Sequence, residues 1–325
     1  MANFIPESFK PIAKNLIFPI PNNLKKNFRS LDESQYQLLK ESLLKNYYKD
    51  WRSREKYSEE KHHADLLMHT KGRLEMDRRE IIPWLDNSRN LSGQKILEVG
   101  CGTGSSSVAL AEQNANVIGI DLDSDALEVA RKRAELYELD IDFNDINCID
   151  YLGGLKNKKF DQIIFFASLE HMTLTERISS LKLAWSLLKE KGLLTIIETP
   201  NRLWFYDGHT SMMNFFHWLP DELAFCYSKF SKRGNFNNLY TDFGDQDQRL
   251  HFLRRGRGLS YHEFDLALGN SEEITIKSSL SKFQGIRYKL RVSRKDRIYK
   301  KFIADLNPKI DKGFMDKFLY LIIEK

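Results

Sequence analysis

Cysteine is scarce in this chain of 325 residues. The three that occur are widely spaced: Cys101, Cys148 and Cys226. They contain no C-x-x-C pair, which excludes a disulfide framework and argues against a structural zinc site. The neighbouring histidines His62, His63 and His69 have no acidic partner at ligand spacing. The sequence therefore predicts a reducing compartment and no bound metal.

Long apolar runs and a strong charge imbalance are also missing. No stretch approaches the roughly 18 to 20 apolar residues of a membrane span, and the first residues lack the apolar core of a secretion signal. The 50 Lys and Arg residues nearly balance 45 Asp and Glu residues. The basic residues from 287 to 301 are interleaved with apolar residues, so we interpret this run as a solvated helix face rather than a nucleic-acid patch. We expect a cytoplasmic protein with no transmembrane segment and no nucleic-acid partner.

Strand-like and helix-like segments alternate through the middle of the chain. Short apolar runs predict strands near 95–99, 116–120, 141–144, 160–166 and 192–198. Helical periodicity predicts helices between them, near 104–113, 124–137 and 174–190. This alternation predicts an α/β fold, with a parallel sheet covered by helices on both faces.

A glycine-rich bend follows the first predicted strand, in the stretch Glu98-Val-Gly-Cys-Gly-Thr-Gly104. A dinucleotide fingerprint would need its third glycine at position 105, which is Ser105. The acid at 98 would repel a pyrophosphate but suits a ligand with an ammonium group. The next strand ends on Asp121, a carboxylate that could accept hydrogen bonds from both hydroxyls of a ribose. S-adenosylmethionine (SAM) has these features and no phosphate.

These motifs resemble those of the class I SAM-dependent methyltransferases. The resemblance continues through Phe143-Asn-Asp145-Ile146, the strand and loop 160–171 and the strand 192–198. It implies a seven-stranded, mostly parallel Rossmann-like sheet, whose last strand lies antiparallel beside the fifth. It also implies SAM as the cofactor, with these contact residues: Glu98, Gly100, Cys101, Gly102, Gly104, Asp121, Leu122, Asp145, Ile146 and Phe166.

The regions around this core divide the chain into four predicted parts. Residues 1–85 would form an arm and two helices, 86–200 the SAM-binding core, 201–257 a substrate lid and 258–325 the end of the sheet. In this last part, Ser260 and Glu263 predict a capping box, and apolar runs predict strands at 273–277 and 318–324. Ser30 and Glu33 suggest a capping box for the first helix, and Pro83 is expected to stop the second. The helices could simply pack on the sheet, or they could cover the SAM pocket.

Residues 201–257 hold 13 aromatic residues, and they begin where the fifth strand ends. Aromatic faces with dispersed polar groups suit a sugar ring, a flat aromatic or a lipid-linked acceptor. The alternative is that these rings build only the core of the lid. Part of the segment is also similar to bacterial methyltransferases of glycan and surface-polysaccharide pathways. The residues proposed to bind substrate are Arg202, Tyr206, His217 and Trp218.

The resemblance predicts methyl transfer from SAM to a small-molecule or carbohydrate-like acceptor, at a hydroxyl. Such a reaction needs alignment of donor and acceptor and removal of one proton. His171, just past the fourth strand, is the first candidate base, and His209 on the lid is the second. Methylation of nitrogen on a small molecule or a protein remains an alternative, as does a non-catalytic module that binds a partner.

Overall fold

The computed structural model describes residues 20–50, 58–155, 159–233, 236, 238–269, 272 and 274–325. The strands are β1 (Lys95–Val99), β2 (Asn116–Asp121), β3 (Asp142–Asp145), β4 (Phe160–Phe166), β5 (Leu188–Pro200), β6 (Thr275–Ser279) and β7 (Phe318–Glu324). They form one sheet in the order β3-β2-β1-β4-β5-β7-β6.

The first five strands pair in parallel, and β7 pairs antiparallel with both β5 and β6. The predicted α/β architecture, with seven strands and an antiparallel final strand beside the fifth, is confirmed. The strand order reverses between β1 and β4, because the chain leaves β3 at one edge and re-enters beside β1. Open α/β sheets bind their ligands beyond the carboxyl ends of the strands at such a reversal.

Helices precede, connect and follow these strands. The first group is α1 (Asn22–Lys25), α2 (Glu33–Lys45), α3 (Glu59–Leu67), α4 (Arg73–Met76) and α5 (Ile82–Ser88). The connecting helices are α6 (Ser105–Ala111), α7 (Ser124–Leu136), α8 (Cys148–Gly154) and α9 (Leu174–Leu187). The later ones are α10 (Asp221–Tyr227), α11 (Gln246–Arg254), α12 (Tyr261–Leu268), α13 (Leu280–Gln284), α14 (Ile286–Arg291) and α15 (Arg294–Leu306).

The start of α2 differs from the predicted capping box. Asp32, rather than Ser30, is the N-cap, and its side chain accepts from the Gln35 backbone N–H while Gln35 bonds back to Asp32. An aspartate followed three residues later by a glutamine satisfies the same two donors as the Ser-x-x-Glu pattern. The predicted helix therefore exists, but it begins about two residues later.

Pro83 does not end the second N-terminal helix, in contrast to the prediction. The helix changes to the wider π spacing at Met68–Gly72 and again at Asp77–Ile81, and it then continues to Ser88. The proline lies in the first turn of α5, after the second wide turn, where its missing N–H is tolerated. The wider spacing of the two π turns changes the direction in which the side chains of this helix point.

The aromatic segment 201–257 is organised around a core of its own. Five of its aromatic rings are buried together: Phe216, Phe225, Phe236, Tyr240 and Phe252. Neighbouring ring centroids in this group lie between 5.1 and 6.3 Å apart. The alternative that these aromatics build the segment itself is therefore the one the structure supports for this group.

The end of the chain completes the sheet and adds external helices. The capping box of α12, Ser260 with Glu263, is present as predicted. The predicted strand at 273–277 lies two residues later, as β6, and residue 273 itself is outside the described residues. Residues 1–19 of the predicted arm are also outside them, as is Trp51, which the helical pattern places at the end of the first predicted helix. Among the helices that the structure describes, none is long and apolar enough to cross a membrane.

Candidate functional site

The glycine loop after β1 turns sharply because its glycines adopt backbone angles that disfavour side chains. Gly100 and Gly102 have φ values of +84° and +50°. A Cβ on Gly100 would lie 2.8 Å from the Phe166 carbonyl oxygen, so the loop is pressed against the end of β4. A Cβ on Gly102 would meet nothing within 4 Å, so this residue faces open space. The loop thus presents bare backbone to a cavity.

Asp121 joins the glycine loop to the end of β2. Its Oδ2 accepts a hydrogen bond from the Gly102 N–H at 2.8 Å, and its Oδ1 accepts one from the Asp123 N–H at 3.0 Å. Each carboxylate oxygen keeps a further lone pair. Asp121 can therefore fix the loop and still bind two hydroxyl groups of a ligand.

A cavity of about 690 Å³ opens at this edge of the sheet. It is bounded by the glycine loop, the ends of β2, β4 and β5 and the N-terminal helices. Of the predicted site residues, nine line it: Gly100, Cys101, Gly102, Asp121, Leu122, Ile146, Phe166, His171 and His209. This volume is within the range of small-molecule and cofactor sites.

The family model for the "Methyltransferase domain" matches residues 96–192. This part of the chain is similar to the members of that family. The matched span runs from β1 through the glycine loop to β5, so it contains most of the cavity floor. The cofactor of this kind of domain is SAM, as the motifs imply.

Individual relatives resemble the same central region. The chain is 38% identical over 118 residues to the ubiquinone biosynthesis O-methyltransferase of Actinobacillus pleuropneumoniae serotype 7, covering 35% of this chain and 49% of that protein. The Glaesserella parasuis enzyme of the same name is 40% identical over 120 residues, covering 36% and 50%. The chain thus spans about half the length of the curated relatives it matches.

Solved structures resemble the chain more distantly. The magnesium protoporphyrin IX methyltransferase of Synechocystis PCC 6803 with bound SAM is 21% identical, with a TM-score of 0.38, and the match covers 54% of this chain and 80% of that one. A SAM-dependent methyltransferase of Clostridium acetobutylicum is 22% identical, with a TM-score of 0.33, covering 40% and 56%.

Glu98 does not reach the cavity, although the motif suggested that it meets the ammonium of SAM. Its carboxylate is fully buried and accepts hydrogen bonds from the hydroxyls of Ser106 and Ser107. Burial raises the pKa of this carboxyl above its usual value, although the hydrogen bonds from the two serine hydroxyls act to lower it. Glu98 therefore fixes the first turn of α6 behind the glycine loop.

Three other residues predicted to contact the cofactor are placed as follows. Gly104 packs against α7, where a Cβ would lie 2.9 Å from that of Ala130. Asp145 is exposed beside the cavity without lining it. The Ile146 N–H, predicted to meet an adenine nitrogen, donates to the Asp121 carbonyl at 3.2 Å as the β2–β3 ladder continues. Ile146 itself lines the cavity, but its backbone N–H already has an acceptor.

The N-terminal helices line the cavity with residues that the motif analysis missed. The π turns and the short helix between them carry His69, Arg73 and Asp77 to the cavity wall. Burial, together with the nearby carboxylates of Glu98 and Glu198, raises the pKa of Asp77 well above its usual value. The N-terminal helices therefore line the cavity, which favours the alternative in which they cover the pocket.

Glu198, near the end of β5, completes this charged wall. It lines the cavity, and its φ of +60° is unusual for a residue with a side chain. Burial raises the pKa of Glu198, and the charge of Arg73 opposes that rise. This wall of the cavity therefore holds Arg73 together with two acids, the buried Asp77 and the half-buried Glu198. A backbone outlier with a polar side chain facing a pocket is a common feature of functional sites.

His171 and His209 meet at the other end of the cavity, with their ring centroids 6.1 Å apart. His171 Nδ1 lies 2.9 Å from the Arg254 carbonyl, so this nitrogen must carry the hydrogen. Burial lowers the pKa of His171, although the hydrogen bond to Arg254 opposes that. The neutral ring therefore keeps an unprotonated Nε2.

His209 has the same tautomer for a related reason. The Thr210 hydroxyl donates to the Gly256 carbonyl at 2.8 Å, so its oxygen accepts from His209 Nδ1 at 3.0 Å. Burial and the neighbouring His171 lower the pKa of His209 to about 4. Both candidate bases are therefore neutral at physiological pH, and each has one nitrogen lone pair available.

The loop that carries His171 is braced by a buried arginine. Arg177 of α9 donates to the carbonyls of Leu169 at 2.8 Å and Arg257 at 2.7 Å, and also to those of Glu170 and Gly258. Its side chain is 4% exposed. It thus joins the loop after β4, which carries His171, to the end of the aromatic segment, which also carries His209.

Replacing Arg177 with methionine should lower the free energy of unfolding by about 3 kcal/mol, because buried carbonyls would lose their donors. Urea unfolding followed by circular dichroism measures this change. Lys182→Met, on the exposed face of the same helix, should stay within about 0.5 kcal/mol of the wild type. An Arg177→Met protein with unchanged stability would show that water replaces the guanidinium.

The four residues proposed to bind substrate do not lie at this cavity. Arg202 and Trp218 line a separate cavity of about 380 Å³ beside α15. Tyr206 pairs with Asn214 in an isolated bridge. His217 is 2% exposed, accepts from the Gly258 N–H at 3.0 Å, and lies 3.2 Å from Asp207. From the aromatic segment, His209 and Arg254 are the cavity residues instead.

Proposed function

We propose that this protein transfers the methyl group of SAM to a hydroxyl oxygen of a small molecule. The observation that carries the proposal is that the SAM-type glycine loop and two neutral histidines share one cavity. A ligand held by the loop at one end would leave the histidines beside an acceptor at the other. The Actinobacillus and Glaesserella relatives, both named O-methyltransferases, support oxygen over nitrogen.

The cavity offers a partner for each polar part of SAM. Asp121 would accept hydrogen bonds from the ribose hydroxyls, and Leu122 and Ile146 would supply apolar surface for the adenine. The amino-acid tail carries a carboxylate, which would pair with Arg73, and an ammonium, whose charge would lower the raised pKa values of Asp77 and Glu198 and so favour their ionised forms. We thus assign the role first given to Glu98 to these cavity-lining residues.

His171 is the proposed proton acceptor, and His209 its neighbour that positions the acceptor hydroxyl. SAM supplies a methyl group on a positively charged sulfur, which leaves as a neutral thioether. The acceptor oxygen forms the new bond to the methyl carbon as the carbon–sulfur bond breaks, and the hydroxyl proton goes to Nε2 of His171. Such proton removal typically contributes about 10²- to 10⁴-fold to a rate.

The substrate is proposed to be a phenol or a carbohydrate-like alcohol of modest size. Part of the cavity of about 690 Å³ must hold SAM, so the remaining space suits a single ring or a short chain. We place the reaction in the cytoplasm, in keeping with three free cysteines of which Cys226 is exposed.

The test is formation of S-adenosylhomocysteine from SAM in the presence of a panel of phenols, sugars and nucleotide sugars, with amines as the comparison set. We expect turnover with a hydroxyl acceptor and none with SAM alone. Turnover with amines only would overturn the assignment to oxygen. A folded protein that does not bind SAM would remove the methyltransferase proposal itself.

Chelation should leave this activity unchanged, because the proposed reaction needs a proton acceptor and no metal. The measurement is the rate after dialysis against EDTA, with and without added Mg²⁺, Mn²⁺ or Zn²⁺. The alternative is a metal site at Glu170, His171 and His209, which offer ligand atoms within 4.8 Å of one another. A rate lost on chelation and restored by one cation would make the histidines metal ligands instead.

A further inference from the structure

The helices α14 and α15 each expose large apolar side chains. We refer to residues 286–306 as the basic segment. Within α14, Ile286 and Leu290 are 74% and 82% exposed. Within α15, Ile298, Phe302 and Leu306 are 62%, 52% and 69% exposed. Residues four apart lie on one face of a helix, so the three side chains of α15 form a continuous apolar stripe.

The same segment carries a concentrated positive charge. It holds two acids, Asp296 and Asp305, against eight basic residues: Arg287, Lys289, Arg291, Arg294, Lys295, Arg297, Lys300 and Lys301. The whole chain has only five more basic than acidic residues. The rest of the protein is therefore almost neutral, and its net positive charge is gathered on these two helices.

Although its apolar stripe is exposed, the basic segment is packed against the rest of the protein. Tyr299 donates its hydroxyl to the Leu203 carbonyl at 2.7 Å, and Ile303 packs against the core on the α9 side of the sheet. Arg291 pairs with Glu80 at 3.4 Å. The basic segment is thus fixed to the body along one side, and its apolar stripe lies on a neighbouring side.

The apolar surface continues from α15 onto the aromatic segment. Phe302, Leu306 and Trp218 line the same cavity of about 380 Å³. Trp218 is 44% exposed, and its ring lies 5.0 Å from that of Phe215, which is 49% exposed. Tryptophan with one apolar and one polar edge is enriched at membrane–water interfaces. An apolar helix face, a groove and two exposed rings therefore form one surface.

We propose that this surface docks on the anionic phospholipid face of a membrane. In this arrangement α15 lies in the plane of the interface, with Ile298, Phe302 and Leu306 at the boundary of the acyl chains. The flanking lysines and arginines contact the phosphate headgroups. A helix with a basic polar face and large apolar residues opposite is the usual form of such interfacial binding.

The alternative occupants fit less well. The phosphates of a nucleic acid would pair with the basic side chains but would leave Leu290 and Ile286 exposed to water, since phosphate contacts are polar. A second copy of the chain, paired through this face, would bring two sets of like charges together. An anionic bilayer satisfies both the charge and the apolar stripe.

The first experiment is cosedimentation of the full chain with vesicles of phosphatidylcholine alone or with about one-third phosphatidylglycerol. We expect binding to the anionic vesicles only, weakened at 0.5 M salt because ions screen the headgroups. The proposal is independent of methyl transfer, so SAM binding is measured separately on the same samples.

Two variants separate the apolar and charged contributions. Ile298→Ser with Phe302→Ser removes half-exposed apolar residues, and we expect at least tenfold weaker binding. Arg294→Gln, Arg297→Gln and Lys301→Gln together should weaken it on the order of 100-fold, since each charge near the surface contributes about fivefold.

The matched controls change similar residues elsewhere on the surface. Leu67→Ser, on α3, replaces an apolar side chain that is 56% exposed. A triple change of exposed lysines, Lys26→Gln, Lys45→Gln and Lys182→Gln, removes the same net charge. Both controls should bind vesicles within about twofold of the wild type, and circular dichroism checks that every variant is folded.

Other outcomes would overturn the proposal. Failure of the folded wild type to sediment with anionic vesicles would do so directly. So would equal losses in the variants and their controls, because the binding would then come from overall charge. Dissociation of a dimer by Ile298→Ser with Phe302→Ser, without vesicle binding, would assign the surface to a second copy. Binding to single-stranded RNA in place of vesicles would assign it to nucleic acid.

Discussion

Replacing Asp121 with alanine should weaken SAM binding by about 100-fold. The carboxylate accepts from the Gly102 and Asp123 N–H groups, and we propose that it also accepts from both ribose hydroxyls. Hydrogen bonds to a charged group contribute about 1.5–3 kcal/mol each, and 1.4 kcal/mol corresponds to a tenfold change in affinity. Losing the ligand bonds and loosening the loop together account for the expected change.

Calorimetric titration with SAM and with S-adenosylhomocysteine measures this effect. Asp140→Ala is the control, since it removes an exposed acid from the loop before β3 without touching the cavity. Thermal unfolding of both variants distinguishes lost binding from lost structure. Wild-type affinity in a folded Asp121→Ala protein would contradict the proposed position of the ribose.

Replacing His171 with asparagine should lower kcat by about 10²- to 10⁴-fold and leave the affinity for SAM unchanged. Asparagine retains a donor near the position of Nδ1, so the hydrogen bond to the Arg254 carbonyl can persist. It has no group that accepts a proton at the place of Nε2. The loss should therefore fall on the chemical step, as a change in kcat with little change in the dissociation constant.

The pH profile gives a second test of the same residue. Because burial lowers the pKa of His171 below 6.5, the base is unprotonated above that pKa. The wild-type rate should therefore rise with pH through a pKa below 6.5 and then level off. His262→Asn changes an exposed histidine of α12 and should alter neither kcat nor the profile. An unchanged rate in His171→Asn would move the base to His209 or Asp77.

The local features of the site could be predicted because neighbouring residues produce them. The bounds of β1, β4 and β7 agree with the predicted strands at 95–99, 160–166 and 318–324. The glycine loop needs positive φ angles directly after an apolar strand, and glycine at 100 and 102 meets that need. Asp121 follows because the end of the next parallel strand must lie beside that loop.

The remaining parts of the site depend on contacts between distant segments. His171 and Arg254 are 83 residues apart, so no local pattern indicates which nitrogen of the ring is protonated. Asp77 and Arg73 reach the cavity from a helix that two π turns interrupt, and the residue pattern did not predict those turns. Glu98 belongs to the motif, yet the serines at 106 and 107 enclose it.

The sequence by itself determined the parallel sheet and the glycine loop at its carboxyl edge, and its motifs predicted SAM as the cofactor, because periodicity and glycine placement act over a few residues. Only the tertiary structure decided which side chains face the cavity. It buried His217 and the aromatic core of residues 201–257, and it moved Trp218 and Arg202 to another cavity. The reason is physical: burial and side-chain direction depend on how separate elements pack, which composition and spacing do not specify.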